Sequence, residues 1–301
     1  MSAGRLALRR PERGPVSAGV VAERRPLAAG RAARLRRPLQ VGAVALLVVL
    51  VGCAVLPLDP TSNDLAHRFA GPSLEHPLGT DQLGRDVLAR LAGGARISVG
   101  FTLVVLAICA VTGTVLGVVA GWAGRVVGQL FQRVIDVLVA IPAVLVGLVV
   151  VAAAGGAPGL WSLLVAIVVT GWTPFARLTY QLVVRERSRD YVEGVVALGA
   201  GPGRIAFRHV LPNLTRPLLA HLCLRFANVL LTVAGLSFLG LGPQPPTPEW
   251  GAMLAEGRQY LFNAPQLVVL PALAVVGTAL LVNGLGRELE RRRTTGPSGE
   301  F

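Results

Sequence analysis

Long runs of apolar residues are the feature that most constrains the fold of this 301-residue chain. A helix needs about 20 mostly apolar residues to cross the hydrocarbon core of a bilayer. The sequence predicts such spans at about residues 39–56, 97–120, 134–154, 160–175, 217–239 and 267–285. We therefore expect an all-α, polytopic membrane protein with about six transmembrane helices.

The composition agrees with a membrane protein and argues against other classes. Charged residues make up 15% of the chain, whereas a soluble domain carries about 25%. The net charge of +13 would suit a nucleic-acid-binding protein, but the arginines are placed by membrane topology, so no nucleic-acid partner is expected. Cys53, Cys109 and Cys223 each lie in an apolar segment without a CxxC neighbour, which predicts buried hydrophobic side chains and no metal site.

Arginine placement predicts the orientation of the spans, because cytoplasmic loops carry an excess of basic residues. Arginines crowd the tail of residues 1–38, the segments after the second and fourth spans, and the tail of residues 289–301. With six spans, all these segments lie on one side of the membrane. We therefore predict that both tails are cytoplasmic and that they flank a transmembrane domain of residues 39–288.

Glycine and proline punctuate the predicted spans. Pro142 interrupts the third span and Pro174 ends the fourth, because proline removes a helix hydrogen bond. In the second span, small residues recur every four positions, at Gly113, Gly117 and Gly121. This spacing lets two helix backbones approach closely in lipid. It is compatible with packing inside this chain and with contact to another subunit.

The polar segment 185–213 predicts a compact helix–turn–helix on the cytoplasmic side. Ser188 or Asp190 would cap its first helix, and residues 199–203 would break the chain direction, because glycine suits a left-handed C-cap. The first helix presents one apolar face, formed by Tyr191, Val195 and Leu198. A second short helix is expected over 204–211, closed by Pro212. From the residues alone, this unit is either a docking plug for a partner or a helix lying on the membrane surface.

The same segment resembles the EAA loop of binding-protein-dependent ABC transporter permeases. That pattern has a glutamate, two small residues, a glycine four positions later and a final Leu-Pro pair. The residues that match it in register are Glu193, Gly199, Leu211 and Pro212. The departures are Gly194 and Val195 at the two usual alanines and His209 at the usual isoleucine. The stretch 209–213 is similar to the dipeptide, oligopeptide and nickel branch of these permeases.

Two further motifs support the resemblance. Residues 76–86 resemble the external Gly-Thr-Asp…Gly-Arg-Asp motif of that branch, and residues 237–251 resemble its signature after the fifth span. Together with the spans, the resemblance covers about residues 38–290 and implies the fold of a type I ABC importer permease in a bacterial cell membrane. The residues it implies for coupling to an ATPase are Glu193, Ala197, Leu198, Gly199, Ala200, Leu211 and Pro212.

The resemblance also implies partners and a cargo. It implies two ABC ATPase subunits that bind ATP and magnesium, a second similar permease, and an external solute-binding protein. The chain itself is expected to hold no cofactor and no ATPase site, because it contains no lysine for a phosphate-binding loop. Di- and oligopeptides are the expected cargo, with nickel or another small solute as the alternative.

The external loops, residues 57–96 and 241–266, are expected to face the binding protein. Their candidate contacts are Asp81, Arg85, Asp86, Glu249 and Trp250. Trp250 has an alternative interpretation, because aromatic side chains also anchor spans at the membrane interface. These residues therefore predict either a docking surface or, for the tryptophan, an interfacial anchor.

Polar residues in the fifth span predict a wall of the translocation path. His221, Arg225, Asn228 and Thr232 fall at helical spacing on one face, and charged groups inside a membrane usually face a bundle interior or a water-filled cavity. An inter-helix or snorkelling contact is the alternative. Asp136, the one acid in the predicted spans, is interpreted as a cap or ion pair, which argues against an ion-driven secondary transporter.

Overall fold

The computed structural model describes residues 59–294 and, outside that range, Gly52 alone. The predicted first span and the tail of residues 1–38 therefore lie outside the described residues, apart from Gly52. The described part is helical, with one isolated bridge between Thr80 and Asp86. Its helices are α1 (Val87–Trp122), α2 (Arg125–Ala140), α3 (Ala143–Ala153), α4 (Leu160–Gly171), α5 (Thr173–Arg187), α6 (Asp190–Ala197), α7 (Pro202–Ile205), α8 (Leu211–Phe238), α9 (Trp250–Gly257) and α10 (Gln266–Thr294).

Four helical stretches in the described residues are long and apolar enough to cross a membrane. They are α1, the continuous pair α4–α5, the stretch Gly203–Phe238 that includes α8, and Gln266–Arg287 of α10. The pair α2 and α3 makes a fifth if it counts as one span, bent by 82° at the break around Pro142. Pro142 thus interrupts the third span as predicted, and the structure accounts for the spans from the second onward.

Several predicted boundaries are wrong. Helix α1 begins at Val87 rather than at 97, because Asp86 caps it by accepting a hydrogen bond from the Ala89 amide at 2.7 Å. The fourth span does not end at Pro174 but runs to Arg187. The carbonyl of Thr170, which Pro174 cannot bond, instead accepts the Thr173 hydroxyl at 2.7 Å. The polar segment 185–213 therefore begins inside α5, which ends at Arg187.

Helices α1 and α5 pack side by side along the three glycines of α1. A Cβ atom at Gly113 would lie 2.7 Å from the Phe175 Cβ, and one at Gly117 would lie 2.6 Å from the Ala176 carbonyl oxygen. A Cβ atom at Gly121 would lie 2.6 Å from the Val183 Cγ1. Both helices advance in the same direction, so they run parallel. The glycine spacing serves packing inside this chain.

Two apolar cores lie at the two ends of the helix bundle. At the end that carries α9, the first part of α1 and the last part of α8 enclose Trp250 and Met253 of α9 and Leu267 of α10. At the end that carries α6, the last residues of α5 and the first turns of α8 enclose Val192 of α6. We call these the α9 end and the α6 end. Each short helix is thus fixed on a long helix.

We expect Gly117→Ala to destabilise the bundle, because the new methyl group overlaps the backbone of α5 at a contact where neither helix can yield. Overpacking of this kind costs about 1–3 kcal/mol, so the thermal midpoint of the purified protein in detergent falls. The matched control is Gly100→Ala in the same helix, where a Cβ meets no atom within 4 Å. Equal midpoints for the two variants would contradict the close approach.

Candidate functional site

The motif at residues 76–86 holds together the loop that precedes α1. Gly79 and Gly84 have φ angles of +77° and +74°, a region that favours glycine. A Cβ atom at Gly79 would lie 2.6 Å from the Ala70 carbonyl oxygen, and one at Gly84 would overlap the Asp64 carbonyl group. The turn therefore closes against the preceding residues 64–70 and holds them in place.

Asp81 lies at the centre of this turn and is buried. Its Oδ1 accepts hydrogen bonds from the amides of Leu83, at 2.8 Å, and Arg85, at 3.0 Å. Its Oδ2 accepts from the Arg85 Nε at 2.6 Å and from the Arg90 Nη1 at 2.7 Å. One carboxylate thus fixes the turn and both guanidinium groups.

Glu256 of α9 completes a buried charge network with the same two arginines. Its Oε2 accepts from the Arg85 Nη2 at 2.7 Å, and its Oε1 accepts from the Arg90 Nη2 at 2.8 Å. Gln82 donates a further hydrogen bond to Oε2 at 3.0 Å. Burial raises the pKa of Glu256, but the hydrogen bonds and charges of Arg90 and Arg85 outweigh it and hold that pKa below its ordinary value. The network ties the loop, α1 and α9 together with balanced charge.

Glu249 and Trp250 form a second buried contact between α9 and α1. Glu249 caps α9 by accepting from the Ala252 amide at 2.8 Å, and the Ser98 hydroxyl donates to it at 3.0 Å. The Trp250 indole donates to the Leu91 carbonyl at 3.0 Å. A Cβ atom at Gly94 would lie 2.5 Å from the Trp250 ring, so α1 leaves a slot for the indole.

The predicted binding-protein contacts are therefore positioned inward. Asp81, Arg85, Glu249 and Trp250 are buried. The Asp86 carboxylate caps α1, and its Oδ2 lies 2.8 Å from the His76 Nδ1. A buried side chain offers no surface to a partner, so direct docking through the four buried residues is not supported, and Trp250 is not an interfacial anchor either. The apolar side chains that this end exposes most are Leu74 and Phe262.

At the α6 end, the predicted apolar face is wrong in detail. The face that packs inward carries Val192, which is buried against Val183, Ile205 and Leu214. Leu198 is 89% exposed. Arg189 occupies the cap position, and neither Ser188 nor Asp190 caps the helix with its side chain. The sequence pattern placed the face about one position off: Val192 rather than Tyr191 is buried, and neighbouring residues on a helix point about 100° apart.

The end of α6 matches the predicted glycine cap. Gly199 has a φ angle of +82°. Its amide donates to the Val196 carbonyl at 2.9 Å, and the Ala200 amide donates to the Val195 carbonyl at 3.2 Å. This pair of bonds is the Schellman motif. It turns the chain sharply and leaves Leu198 at the tip of the unit.

The second short helix is not closed by Pro212. After α7, residues Ala206–Val210 form a π-helical turn that leads directly into α8. Pro212 lies in the first turn of α8, directly after the π-helical turn, and the helix continues through it. The predicted coupling residues Glu193, Ala197, Gly199 and Pro212 are exposed, whereas Ala200 and Leu211 are half-buried.

Glu186 is a site residue that the sequence reasoning missed. It is buried at the end of α5 and accepts hydrogen bonds from the Tyr191 hydroxyl at 2.7 Å and from the Asn213 amide at 3.3 Å. Burial, followed by donation to Glu186, raises the pKa of Tyr191. The sequence feature that could have drawn attention to Glu186 is its place between Arg185 and Arg187, just before the predicted helix. These bonds join α5, α6 and α8.

Arg187 fixes the same unit to the end of α1. Its guanidinium donates to the Gly121 carbonyl at 2.7 Å and lies 4.5 Å from the centre of the Trp122 ring. Three long helices therefore hold the α6 unit, and its exposed tip is presented on a rigid base. Of the apolar side chains of this unit, Val192 is buried in the protein, whereas Val196 and Leu198 remain exposed.

The polar face of α8 follows the predicted spacing. His221 packs edge-on against Phe175 with ring centres 5.1 Å apart. The His221 Nε2 and the Arg225 Nε are buried and make no hydrogen bond. Asn228 is exposed and Thr232 is half-buried. Asp136 forms an ion pair with Arg177 at 2.5 Å, as one of the two interpretations of Asp136 predicts.

We expect Glu256→Gln to loosen the α9 end, because it leaves Arg85 and Arg90 with one carboxylate between them. Removing one partner of a buried ion pair costs about 3–5 kcal/mol, and hydrogen exchange of residues 250–258 should accelerate. The control is Glu75→Gln, at an exposed acid; equal exchange in the two variants would contradict the role of the network.

The same network predicts a dependence on pH. Because the folded pKa of Glu256 lies below its ordinary 4.5, the stabilisation is fully present above pH 4.5 and is lost as the pH falls through the lower folded pKa. The protection factors of residues 250–258 in the wild type, which are corrected for the intrinsic pH dependence of amide exchange, should therefore stay constant down to about this pH and fall below it.

Comparison with known proteins places this geometry in a family. The model of the family described as "Binding-protein-dependent transport system inner membrane component" matches residues 113–295. The chain is 38% identical to a di/tripeptide transport system permease protein of Pseudomonas aeruginosa over 257 residues, which are 82% of this chain and 84% of the relative. It is 34% identical to a nickel transport system permease protein of Escherichia coli over 255 residues, which are 85% of this chain and 91% of the relative.

A solved structure shares the fold. A chain of the MetNI methionine ABC transporter, solved in inward-facing conformations, aligns with a TM-score of 0.53 at 18% identity. The alignment covers 66% of this chain and 94% of that one. The apolar helices, the family match and these relatives together show that the chain belongs to the inner-membrane components of binding-protein-dependent transport systems and is a multi-pass permease subunit of an ABC importer.

Proposed function

We propose that this permease carries di- and tripeptides delivered by an external solute-binding protein. The support is the higher identity to the di/tripeptide permease, 38%, than to the nickel permease, 34%. Nickel is the alternative cargo. Proteoliposomes that contain the assembled importer decide between them: uptake of labelled dialanine and no uptake of nickel ion supports the peptide, and the reverse result contradicts it.

The proposed orientation puts the α6 end in the cytoplasm, with both chain termini on that side. Arginines surround the α6 unit, at Arg185, Arg187, Arg189, Arg204 and Arg208, as expected of a cytoplasmic segment. The α9 end then faces outward, toward the binding protein. A second similar permease and two ATPase subunits complete the importer, and this subunit has no ATPase site or cofactor of its own.

The observation that carries the proposed coupling is the exposed tip of the α6 unit. Leu198 is 89% exposed and Val196 is 55% exposed, while Val192, earlier in the same helix, is buried in the chain's own core. We call these two exposed side chains, Val196 and Leu198, the knob. An exposed apolar knob held in place by the long helices is suited to bind in a groove of another protein. We assign the ATPase contact to Glu193, Ala197, Leu198, Gly199 and Ala200, with Leu211 and Pro212 setting the exit into α8.

Motion of the ATPase subunits would reach the membrane-spanning helices through this knob, because the α6 unit that carries it is bonded to three of them. Glu186 and Arg187 join α6 to α5 and α1, and the π-helical turn leads without interruption into α8. The helix α8 carries the proposed path residues His221, Arg225, Asn228 and Thr232. A displacement at the tip is therefore transmitted to the helix that lines the path.

We expect Gly199→Pro to abolish ATPase binding while the protein still inserts in the membrane. Proline fixes φ near −65° and has no amide hydrogen, whereas Gly199 has a φ of +82° and donates to Val196. The Schellman turn at position 199 can then no longer form, and Leu198 is no longer held at the tip. Co-purification of the ATPase subunits with the permease, and peptide-stimulated ATP hydrolysis after reconstitution, measure the effect.

The matched control is Gly194→Ala on the same short helix. Gly194 lies where the related loops carry alanine, and a Cβ there meets no atom within 4 Å. Alanine favours a helix over glycine by about 1 kcal/mol, so this variant should keep coupling or improve it. Wild-type hydrolysis by Gly199→Pro would refute the assignment of the knob.

A further inference from the structure

Arg225 is a positive charge in the middle of a membrane span without an anion to balance it. It lies about 21 Å along α8 from Leu211 and about 20 Å from Phe238, at 1.5 Å per residue. Within the described residues it forms no salt bridge, and its buried Nε makes no hydrogen bond. A charge at this depth is costly unless it pairs or faces a water-filled cavity.

The apolar stretches of the described spans supply no partner for it. Asp136 and Glu186 are the two carboxylates within them. Arg177 pairs with Asp136 at 2.5 Å, and Arg189 pairs with Glu186 at 3.2 Å. The other buried guanidinium groups, those of Arg85 and Arg90, are matched by Asp81 and Glu256. Arg225 is half-buried with a buried Nε, and among the described residues it has no such carboxylate.

The polar groups on either side of Arg225 also lack hydrogen bonds to other helices. The His221 Nε2, one turn earlier, makes no hydrogen bond. The Asn228 amide and the Thr232 hydroxyl donate only to carbonyls of their own helix, at 3.3 Å and 2.8 Å. The face from His221 to Thr232 is about 17 Å long, whereas an extended tripeptide spans about 10 Å.

We infer that Arg225 binds the C-terminal carboxylate of the peptide in transit and that Asn228 and Thr232 hydrogen-bond its amide groups; this assignment rests on the proposed peptide import. A carboxylate is the one anionic group that every unmodified peptide carries. Arginine is always protonated and matches a carboxylate with two parallel hydrogen bonds. A subsite built on this constant group accepts peptides with many different side chains, because it does not read them.

The experiment uses the full importer in proteoliposomes with its binding protein, and dialanine as the probe. Arg225→Gln should reduce dialanine uptake about tenfold or more, as expected when one partner of a desolvated charge pair is removed. Arg225→Lys keeps the charge and should retain most of the uptake. Arg216→Gln, at an exposed arginine of the same helix, is the control and should match the wild type.

Two readouts separate a subsite from a structural role. ATP hydrolysis stimulated by the loaded binding protein should persist in Arg225→Gln, because docking and coupling do not use this arginine. If hydrolysis or subunit assembly falls together with uptake, Arg225 holds a protein contact and the inference is overturned. Uptake by Arg225→Gln equal to that of the wild type also overturns it, whereas a wild type without ATP-dependent uptake refutes the proposed function itself.

A second measurement tests the charge of the site without the binding protein. The cysteine Asn228→Cys is introduced into a chain whose native Cys53, Cys109 and Cys223 are replaced by alanine. Relative to their rates with a free thiol in solution, a negatively charged methanethiosulfonate should label it several-fold faster than a positively charged one, because Arg225 attracts the anion. The preference should disappear in Asn228→Cys combined with Arg225→Gln. Equal labelling by both reagents with Arg225 in place would contradict an anion site on this face.

Discussion

The contact between the backbones of α1 and α5 is the constraint on which the rest of the structure depends. At Gly113, Gly117 and Gly121, a side chain of any size would meet the atoms of α5. The close approach carries α5 to the end of α1, where Val183, Glu186 and Arg187 become available to hold α6. Without it, the exposed tip at the α6 end would not be held by α5.

The same helix α1 organises the opposite end of the molecule. Its first turns supply Arg90, Ser98 and the slot at Gly94, and these hold α9 through Glu256, Glu249 and Trp250. The long helix therefore connects a charged, buried network at one end with an apolar, exposed tip at the other. In the described residues, the buried Arg85 and Arg90 are each paired with carboxylates. The charge of Arg225, which has no such partner there, lies on α8, the helix proposed to line the path.

Local chemistry explains which parts of this structure were predictable. The break at Pro142 and the left-handed cap at Gly199 follow from the residues at those positions, and both predictions are confirmed. The residues of the segment 185–213 likewise predicted two helices on either side of a glycine break, since the signals for them lie close together in sequence. Spans were found because the apolar composition of a membrane helix is a property of each segment by itself.

The errors have tertiary causes. Pro174 does not end its helix, because the packing of α5 on α1 and the Thr173 hydroxyl compensate the missing hydrogen bond. Asp81, Arg85 and Glu249 read as surface charges, but their partners lie up to about 170 residues away, as in the bond from Arg85 to Glu256. Val192 rather than Leu198 faces inward, because Val183 and Leu214 come together only in the fold.

The most direct test of this account is a photo-crosslinking measurement in native membranes. A photoreactive amino acid is placed at Leu198, 89% exposed at the α6 end, or at Phe262, 96% exposed at the α9 end. The account predicts that the probe at 198 captures an ATPase subunit and the probe at 262 does not. Capture of the ATPase from position 262, or labelling of position 198 by a membrane-impermeant reagent added outside the cell, would contradict it.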